Sequence, residues 1–543
     1  MFKFSNQRST NSIIVAASLF VALFANVPLF VAAIDTYGVS AGNALFIGSL
    51  FFFIASIFVL VLSAVCHRRA VKPIVVTFLL LSSVIAYFTS RYGTVFDYHM
   101  ISNILETDTA EARDLLNFKL LSYMVVLGIL PSLVVYSVQL EHPSWRMETL
   151  SRFKLVAGAL ATLALIQLTF GAGYASMMRD HFEIVARANP TYALYSAAKL
   201  AVRSAPVAIA QAHVLLGSDA QIPPTDKDRD LVIMVVGETG RADHWSLNGY
   251  HLDTNPLLAK EDVINFPDFW SCGTFTSWSV PCMFSNLGRA HFDPVLASSQ
   301  DNALDIIKRA GISVLWRDNN SNSKGVADRV EYQDFKSPRL NPVCDEGECR
   351  DEGMLHGLQE YIDSQKGDVL IVLHQMGNHG PAYYKRYPRE FERFSPVCRT
   401  NDLGSCSSIE ITNAYDNAIL YTDYFLSKVI ALLKRNDAKF ETAMMYLADH
   451  GESLGEYGVY LHGMPYVMAP DVQKHVPAVI WLGQGFRHEL QLGGMEERRK
   501  QRWSQDNVFA TLLGFFEVRS STYDPSMDLI PRKQPPTAAS ELR

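Results

Sequence analysis

Five runs free of Lys, Arg, Asp and Glu, at residues 11–34, 42–66, 73–90, 120–140 and 155–178, limit what the first third of this chain can become. Each has at least 18 residues, enough for a helix to cross roughly 30 Å of hydrocarbon. Inside that hydrocarbon only helices and closed barrels satisfy their own backbone groups. No run of comparable length and apolar character follows Met178. The first run alone would also suit a cleaved leader, but four more succeed it, so it reads as a span. The expected organisation is a five-helix transmembrane domain over 1–180, a bridging interfacial helix and linker over 181–230, and a catalytic domain over 231–543.

Basic residues orient the spans. Lys3, Arg8, Arg68, Arg69, Lys72, Arg146, Arg152 and Lys154 flank one side, whereas residues 35–41 carry no basic group and 91–119 carry Arg91, Arg113 and Lys119. The basic side belongs in the cytoplasm. The N-terminus is then cytoplasmic, and an odd number of spans puts everything beyond residue 178 outside. Six of the seven cysteines fall beyond the last span as close pairs: Cys272/Cys282, Cys344/Cys349 and Cys398/Cys406. Spaced, even-numbered cysteines outside the cytosol read as disulfides. Zinc-binding thiols are the alternative, but no C-x-x-C spacing occurs. A net charge of −7 excludes no function class. Without a basic, aromatic-studded stretch, no nucleic-acid partner is expected, and the chain is taken as a monomer.

Beyond residue 230, apolar runs at 231–236, 312–316, 369–373, 443–447 and 478–482 alternate with helical patterns at 302–310, 353–364 and 414–433. That alternation predicts an α/β domain with a mostly parallel sheet covered by helices. Asn189-Pro190 predicts an N-cap and first-turn proline opening a bridging helix. Asn103, Thr107 and Glu111, spaced by four, share one helix face in the 91–119 link. On spacing alone, a solvated polar face explains them.

The chemistry gathers just past the strands. Glu238 follows 231–236 by one glycine, Asp449-His450 follow 443–447 by one alanine, and His374 and His379 follow 369–373. Ligands of open α/β sheets collect at this edge. A buried carboxylate there is costly unless paired or bound to metal. Two carboxylates, an imidazole and a hydroxyl suit a divalent cation, with zinc favoured. Thr276 lies between Cys272 and Cys282, just before a helical stretch, where free N–H groups stabilise phosphate. Beside a cation its hydroxyl becomes a usable nucleophile, with Thr274 and Ser277 as the alternatives nearby. His379 and His462 are candidate general acids. A rival reading is a serine esterase, because Gly451-Glu452-Ser453-Leu454-Gly455 fits G-x-S-x-G, with Asp471 and His475 following in order. An elbow serine should stand on the turn that ends its strand, a place taken here by Asp449 and His450.

The strings VVGETGRADHWSLNGY (235–250), SCGTFTSWSVPCMFS (271–285), RDNNSNSKG (317–325), GNHGPAYYKRYP (377–388) and ADHGESLGEYGVYLHG (448–463) resemble those of the lipid A phosphoethanolamine transferases. That family lies in the alkaline phosphatase/sulfatase-like superfamily and includes the mobile colistin-resistance enzymes. The resemblance implies a bacterial inner-membrane enzyme with a periplasmic catalytic domain. It implies one tightly bound zinc at Glu238, Thr276, Asp449 and His450, with room for a second during turnover. Thr276 would take phosphoethanolamine from phosphatidylethanolamine and pass it to a lipid A phosphate. Asn103, Thr107, Glu111, Asn320, Lys324, His379, Glu452 and His462 would line the donor site. A related transferase acting on another glycolipid or an inner-core sugar, or carrying phosphoglycerol, fits the same motifs.

Overall fold

The computed structural model describes residues 7–530 apart from 108, 142–143, 205–212, 225, 346 and 491, without the side chains of 109–111, 203 and 204. The side chain of Glu111 therefore lies outside the described residues. The chain divides into two compact units, one of residues 1–105, 115–206 and 457–460, the other of 106–114, 207–456 and 461–543.

Among the described residues the first unit holds four helices apolar and long enough to span a bilayer: Ala41–Val65, Val71–Tyr92, Phe118–Ser137 and Trp145–Asp180. The first expected span is instead a broken pair, Thr10–Phe24 and Val27–Tyr37, bent by 50°. Counting that pair as one span gives five. The break has a chemical cause. Pro28 lacks the N–H that would continue the ladder, and Asn26 before it is fully buried. Asn26 Nδ2 donates to the carbonyls of Val21 (3.0 Å) and Asn189 (2.8 Å), and its Oδ1 accepts the Asn189 N–H at 2.8 Å. Asn189 in turn donates to the carbonyls of Ala25 and Ser82, both at 2.9 Å. Asn189 is thus not the helix cap expected of it. The helix begins at Thr191, after both Asn189 and Pro190, because the amide is engaged in the break.

The second unit is built on a seven-stranded sheet: β1 (Asp230–Gly237), β2 (Val263–Asn265), β3 (Ser313–Asp318), β4 (Glu331–Asp334), β5 (Val369–His374), β6 (Glu441–Ala448) and β7 (Ala478–Leu482). Their order is β2-β7-β6-β1-β5-β3-β4, and β7 is the reversed strand, antiparallel to β6 on one side and to β2 on the other. Every residue of β1 and β5 is buried, which is why these strands read as unbroken apolar runs. Val232, Met234 and Val236 face a core shared with the helices Ala303–Arg309 and Val508–Phe515. The long helix Ser408–Asn436, opened by a Ser407/Glu410 capping box, packs on β6.

Register decides where the chemistry ends up. His374 pairs with Val236 and with Asp318, and Ala448 pairs with Gly237. The carboxyl ends of β6, β1, β5 and β3 therefore stop level, and the residues that follow them meet.

Candidate active site

Thr276 opens the helix Thr276–Met283 after an extended Phe275. Its loop is closed by the Cys272–Cys282 disulfide; Cys344–Cys349 and Cys398–Cys406 are bonded as well. Gln505 braces the loop from the far end of the chain. Its Oε1 accepts the Cys272 N–H at 2.7 Å, while its Nε2 donates to the carbonyls of Ala448 (2.9 Å) and Asp449 (2.7 Å). One buried amide thus holds the Thr276 loop and the end of β6 together. Nothing in the local sequence singles Gln505 out.

The four expected ligands converge. Thr276 Oγ1 donates to Glu238 Oε2 at 3.0 Å and lies 3.3 Å from His450 Nε2. Asp449 Oδ1 accepts the backbone N–H groups of Thr239 (3.1 Å) and His450 (2.7 Å). Glu238, Asp449 and His450 are fully buried.

Whether a cation fits can be read from the imidazole. His450 Nδ1 is 2.9 Å from the Gly451 carbonyl, a contact that requires the proton on Nδ1. Burial, with His462 nearby, holds the His450 pKa well below its ordinary value, so the ring is neutral. Its Nε2 then carries a lone pair, and that lone pair faces Glu238 Oε1 at 3.4 Å and Asp449 Oδ2 at 3.3 Å. Three acceptors so close in a buried space repel one another unless a cation lies among them. Burial also pushes the Asp449 carboxyl above its usual range, a cost that bound positive charge removes. The donor set of carboxylate oxygens, imidazole nitrogen and hydroxyl fits zinc. Ligand atoms of Glu238, His450 and His462 lie within 4.8 Å of one another, so His462 borders the same centre.

Around that centre, His462 Nδ1 meets Glu452 Oε2 at 2.7 Å, and Tyr383 Oη donates to Glu452 Oε1 at 2.6 Å. The rings of His450 and His462 are 4.3 Å apart and those of His379 and His462 5.5 Å apart. Asn320 Nδ2 donates to Glu238 Oε2 and to the Gln375 carbonyl, both at 2.7 Å, so Asn320 also orients the proposed ligand. Lys324 is partly exposed in a left-handed backbone, φ 51°. Asn103 lies on the helix Tyr98–Glu106 in the first unit, and Thr107 just past its end in the second.

The alternatives lose their geometry. Thr274 Oγ1 is spent on the Met464 carbonyl at 2.6 Å. Ser453 accepts from Gln473 Nε2 at 2.9 Å, while His475 binds the Pro267 carbonyl at 2.7 Å and stacks on Trp270. No serine triad forms among these residues.

Two buried acids do work that the sequence reading did not assign. Asp318 meets His374 Nδ1 at 2.9 Å, takes the Trp316 indole N–H at 2.9 Å, and accepts the N–H groups of Asn320 (2.9 Å) and Asn322 (3.1 Å). It thereby shapes the loop carrying Asn320 and Lys324. Burial alone would raise its pKa, but the neighbouring His374 overrides that and keeps it lowered. Asp351 accepts from the N–H groups of Met376 (2.8 Å) and Gly377 (3.1 Å), shaping the turn that leads to His379. Gly377 sits at φ 50°, and a Cβ there would meet the Glu238 carbonyl at 2.9 Å, so only glycine suits the turn.

Residues 230–518 match the sulfatase family, and residues 54–205 match the family described as phosphoethanolamine transferase EptA/EptB. The chain is 41% identical over 527 residues to phosphatidylethanolamine transferase Mcr-1 of Escherichia coli, covering 94% of this chain and 96% of that one. It is 41% identical to phosphoethanolamine transferase EptA of Escherichia coli K12 over 472 residues, 84% of this chain and 85% of that one. The integral membrane lipooligosaccharide phosphoethanolamine transferase A of Neisseria meningitidis superposes with a TM-score of 0.92 at 32% identity, over 97% of this chain and 100% of that one.

Proposed function

Because this chain belongs to the EptA/Mcr-type phosphoethanolamine transferases, we propose that it moves phosphoethanolamine from phosphatidylethanolamine to a phosphate of lipid A through a threonine-bound intermediate. The observation that carries this reading is the setting of Thr276. Its hydroxyl stands at a helix N-terminus, bonded to a buried carboxylate and beside a neutral imidazole.

Glu238, Thr276, Asp449 and His450 would hold the zinc ion. When bound, it supplies the positive charge that favours an alkoxide and offsets charge on the phosphoryl oxygens. The chain's own residues account for the rest. The Thr276 proton leaves along its bond to Glu238 Oε2, and Oγ1 attacks the donor phosphorus. The bond from phosphorus to the diacylglycerol oxygen breaks, and His462, held by Glu452, gives that oxygen a proton. His379, its ring 5.5 Å from that of His462, is placed to take the proton of the incoming lipid A phosphate and pass it on to recharge His462. The freed phosphate oxygen attacks, the P–Oγ1 bond breaks, and Glu238 returns to Oγ1 the proton it took, so Thr276 is restored. Substrates that are both lipids explain the membrane unit, since tethering keeps the site in their plane. The N-terminus is placed in the cytoplasm, the catalytic unit in the periplasm, and the working form is a monomer.

Masking lipid A phosphates with an ammonium group lowers surface negative charge, so cationic polymyxins bind less. Mass spectrometry of lipid A from cells carrying wild type or Thr276→Ala tests the proposal. The expected result is phosphoethanolamine-bearing lipid A from the wild type alone. Modified lipid A from the alanine variant contradicts it.

A further inference from the structure

The loop of residues 377–388 does more than present His379. Beyond His379 it carries Lys385 and Arg386, which the mechanism above leaves without a task. Arg386 is buried, 6% exposed, and each of its guanidinium nitrogens has its own acceptor. Nε donates to the His379 carbonyl at 2.7 Å, Nη1 to Glu348 Oε2 at 2.7 Å, and Nη2 to Asp114 Oδ2 at 2.6 Å. Lys385 Nζ donates to the other oxygen of Asp114, at 2.6 Å. The Asp114 carbonyl accepts from Asn401 Nδ2 at 2.8 Å. Asp114 is thus held at both side-chain oxygens and at its backbone. Burial alone would raise its pKa, but Arg386 and Lys385 reverse the shift and hold it below the ordinary carboxylate range.

Asp114 closes the segment 106–114, which clusters with the catalytic unit although the residues on both sides of it belong to the helical unit. The same segment carries positions 107 and 111, two of the expected headgroup contacts. A guanidinium that bonds the backbone of His379 with one nitrogen and Asp114 with another fixes two parts of the donor site relative to each other. Its planar fork suits that double task in a way a lysine ammonium does not.

We propose that Arg386 and Asp114 form a latch that positions segment 106–114 against the His379 loop and thereby sets the affinity for the phosphoethanolamine headgroup of the donor. Arg386 and Asp114 are positioning residues here; neither touches the reacting atoms. The inference rests on the transferase reading.

The test uses the full-length protein in detergent micelles, with phosphatidylethanolamine as donor and lipid A as acceptor. Asp114→Asn keeps the volume and removes the charge, while Arg386 retains Glu348 and His379, so the fold is preserved. Losing charge-assisted bonds of this kind raises KM for phosphatidylethanolamine at least about tenfold while kcat stays within about twofold. Asp114→Glu, which restores the carboxylate, brings KM back toward wild type. The thermal midpoint of both variants stays close to that of the wild type. An unchanged KM in Asp114→Asn overturns the latch. So does a joint fall of kcat and thermal midpoint without recovery in Asp114→Glu, which would make the ion pairs a structural brace only. If Asp114→Asn is not recovered folded, hydrogen exchange of wild type at residues 106–114 decides. Slowing on addition of donor lipid supports the latch, and no change overturns it. A wild-type protein that transfers nothing overturns the transferase reading itself, a distinct outcome.

Discussion

Replacing Asp449 by asparagine separates the metal-centre reading from any account in which these acids are structural. In the structure, Asp449 Oδ1 accepts two backbone N–H groups while Oδ2 faces the lone pair of His450 Nε2 at 3.3 Å. Asparagine can keep Oδ1 where it is and put an NH2 group in place of Oδ2. Without zinc, a repulsive acceptor pair then becomes a donor–acceptor pair. Relief of a buried, unsatisfied acceptor contributes about 1–3 kcal/mol, so the apo variant should melt a few degrees above apo wild type, at roughly 2 °C per kcal/mol. Zinc reverses the order. At a free concentration 1,000 times its Kd, a ligand stabilises the native state by about 4 kcal/mol. The variant, deprived of an anionic ligand, gains little. The sign of the pH dependence follows as well. Burial raises the Asp449 pKa above its unfolded value, so its contribution to apo stability is complete below the ordinary carboxylate pKa. That contribution is lost as pH rises through the raised value, and Asp449→Asn should flatten this slope. Thermal melts of both proteins with and without zinc, at pH 5 and 8, make the comparison. An apo variant that melts at or below apo wild type refutes the argument.

Three further outcomes are expected. Replacing Cys272 and Cys282 together by serine opens a loop with a sequence separation of 10; unfolding measurements should show a loss of about 3 kcal/mol, and labelling of Thr276 by donor lipid should fall with it. Glu452→Gln leaves the proposed ligands in place but removes the negative charge and turns one of the two oxygens that meet His462 and Tyr383 into an NH2 donor, so kcat should drop at least about 100-fold with zinc content unchanged; an unaltered kcat removes His462 from proton transfer. Chelation should abolish transfer and added zinc restore it, and turnover by protein shown metal-free by elemental analysis would contradict the mechanism.

How far these features could be read in advance depended on whether a signal was local. Unbroken apolar strands announce themselves, and so do the residues just past them, because register forces their ends level. Glu238, Asp449 and His450 were legible for that reason. The edge strands Val263–Asn265 and Glu331–Asp334 were not. The second is almost wholly exposed and polar, so it carries no apolar run to find. The helix expected over 353–364 is a 3₁₀ turn, Asp351–Leu355, followed by Leu358–Ser364, since Gly357 at φ 65° interrupts it. The bend near Asn26 depends on Asn189, 163 residues away, and no window over the first run contains that partner. Gln505 and Asp318 were missed for the same reason, because each acts through atoms contributed by distant segments.

The brace made by Gln505 has a consequence for biosynthesis. Glu238 is translated early in the catalytic unit, whereas the amide that secures the threonine loop to the end of β6 arrives some 270 residues later. A nascent or prematurely terminated chain thus holds every reactive group without the strut that aligns them. The site is therefore fully braced only once the catalytic unit has been completed through Gln505 and has closed on itself.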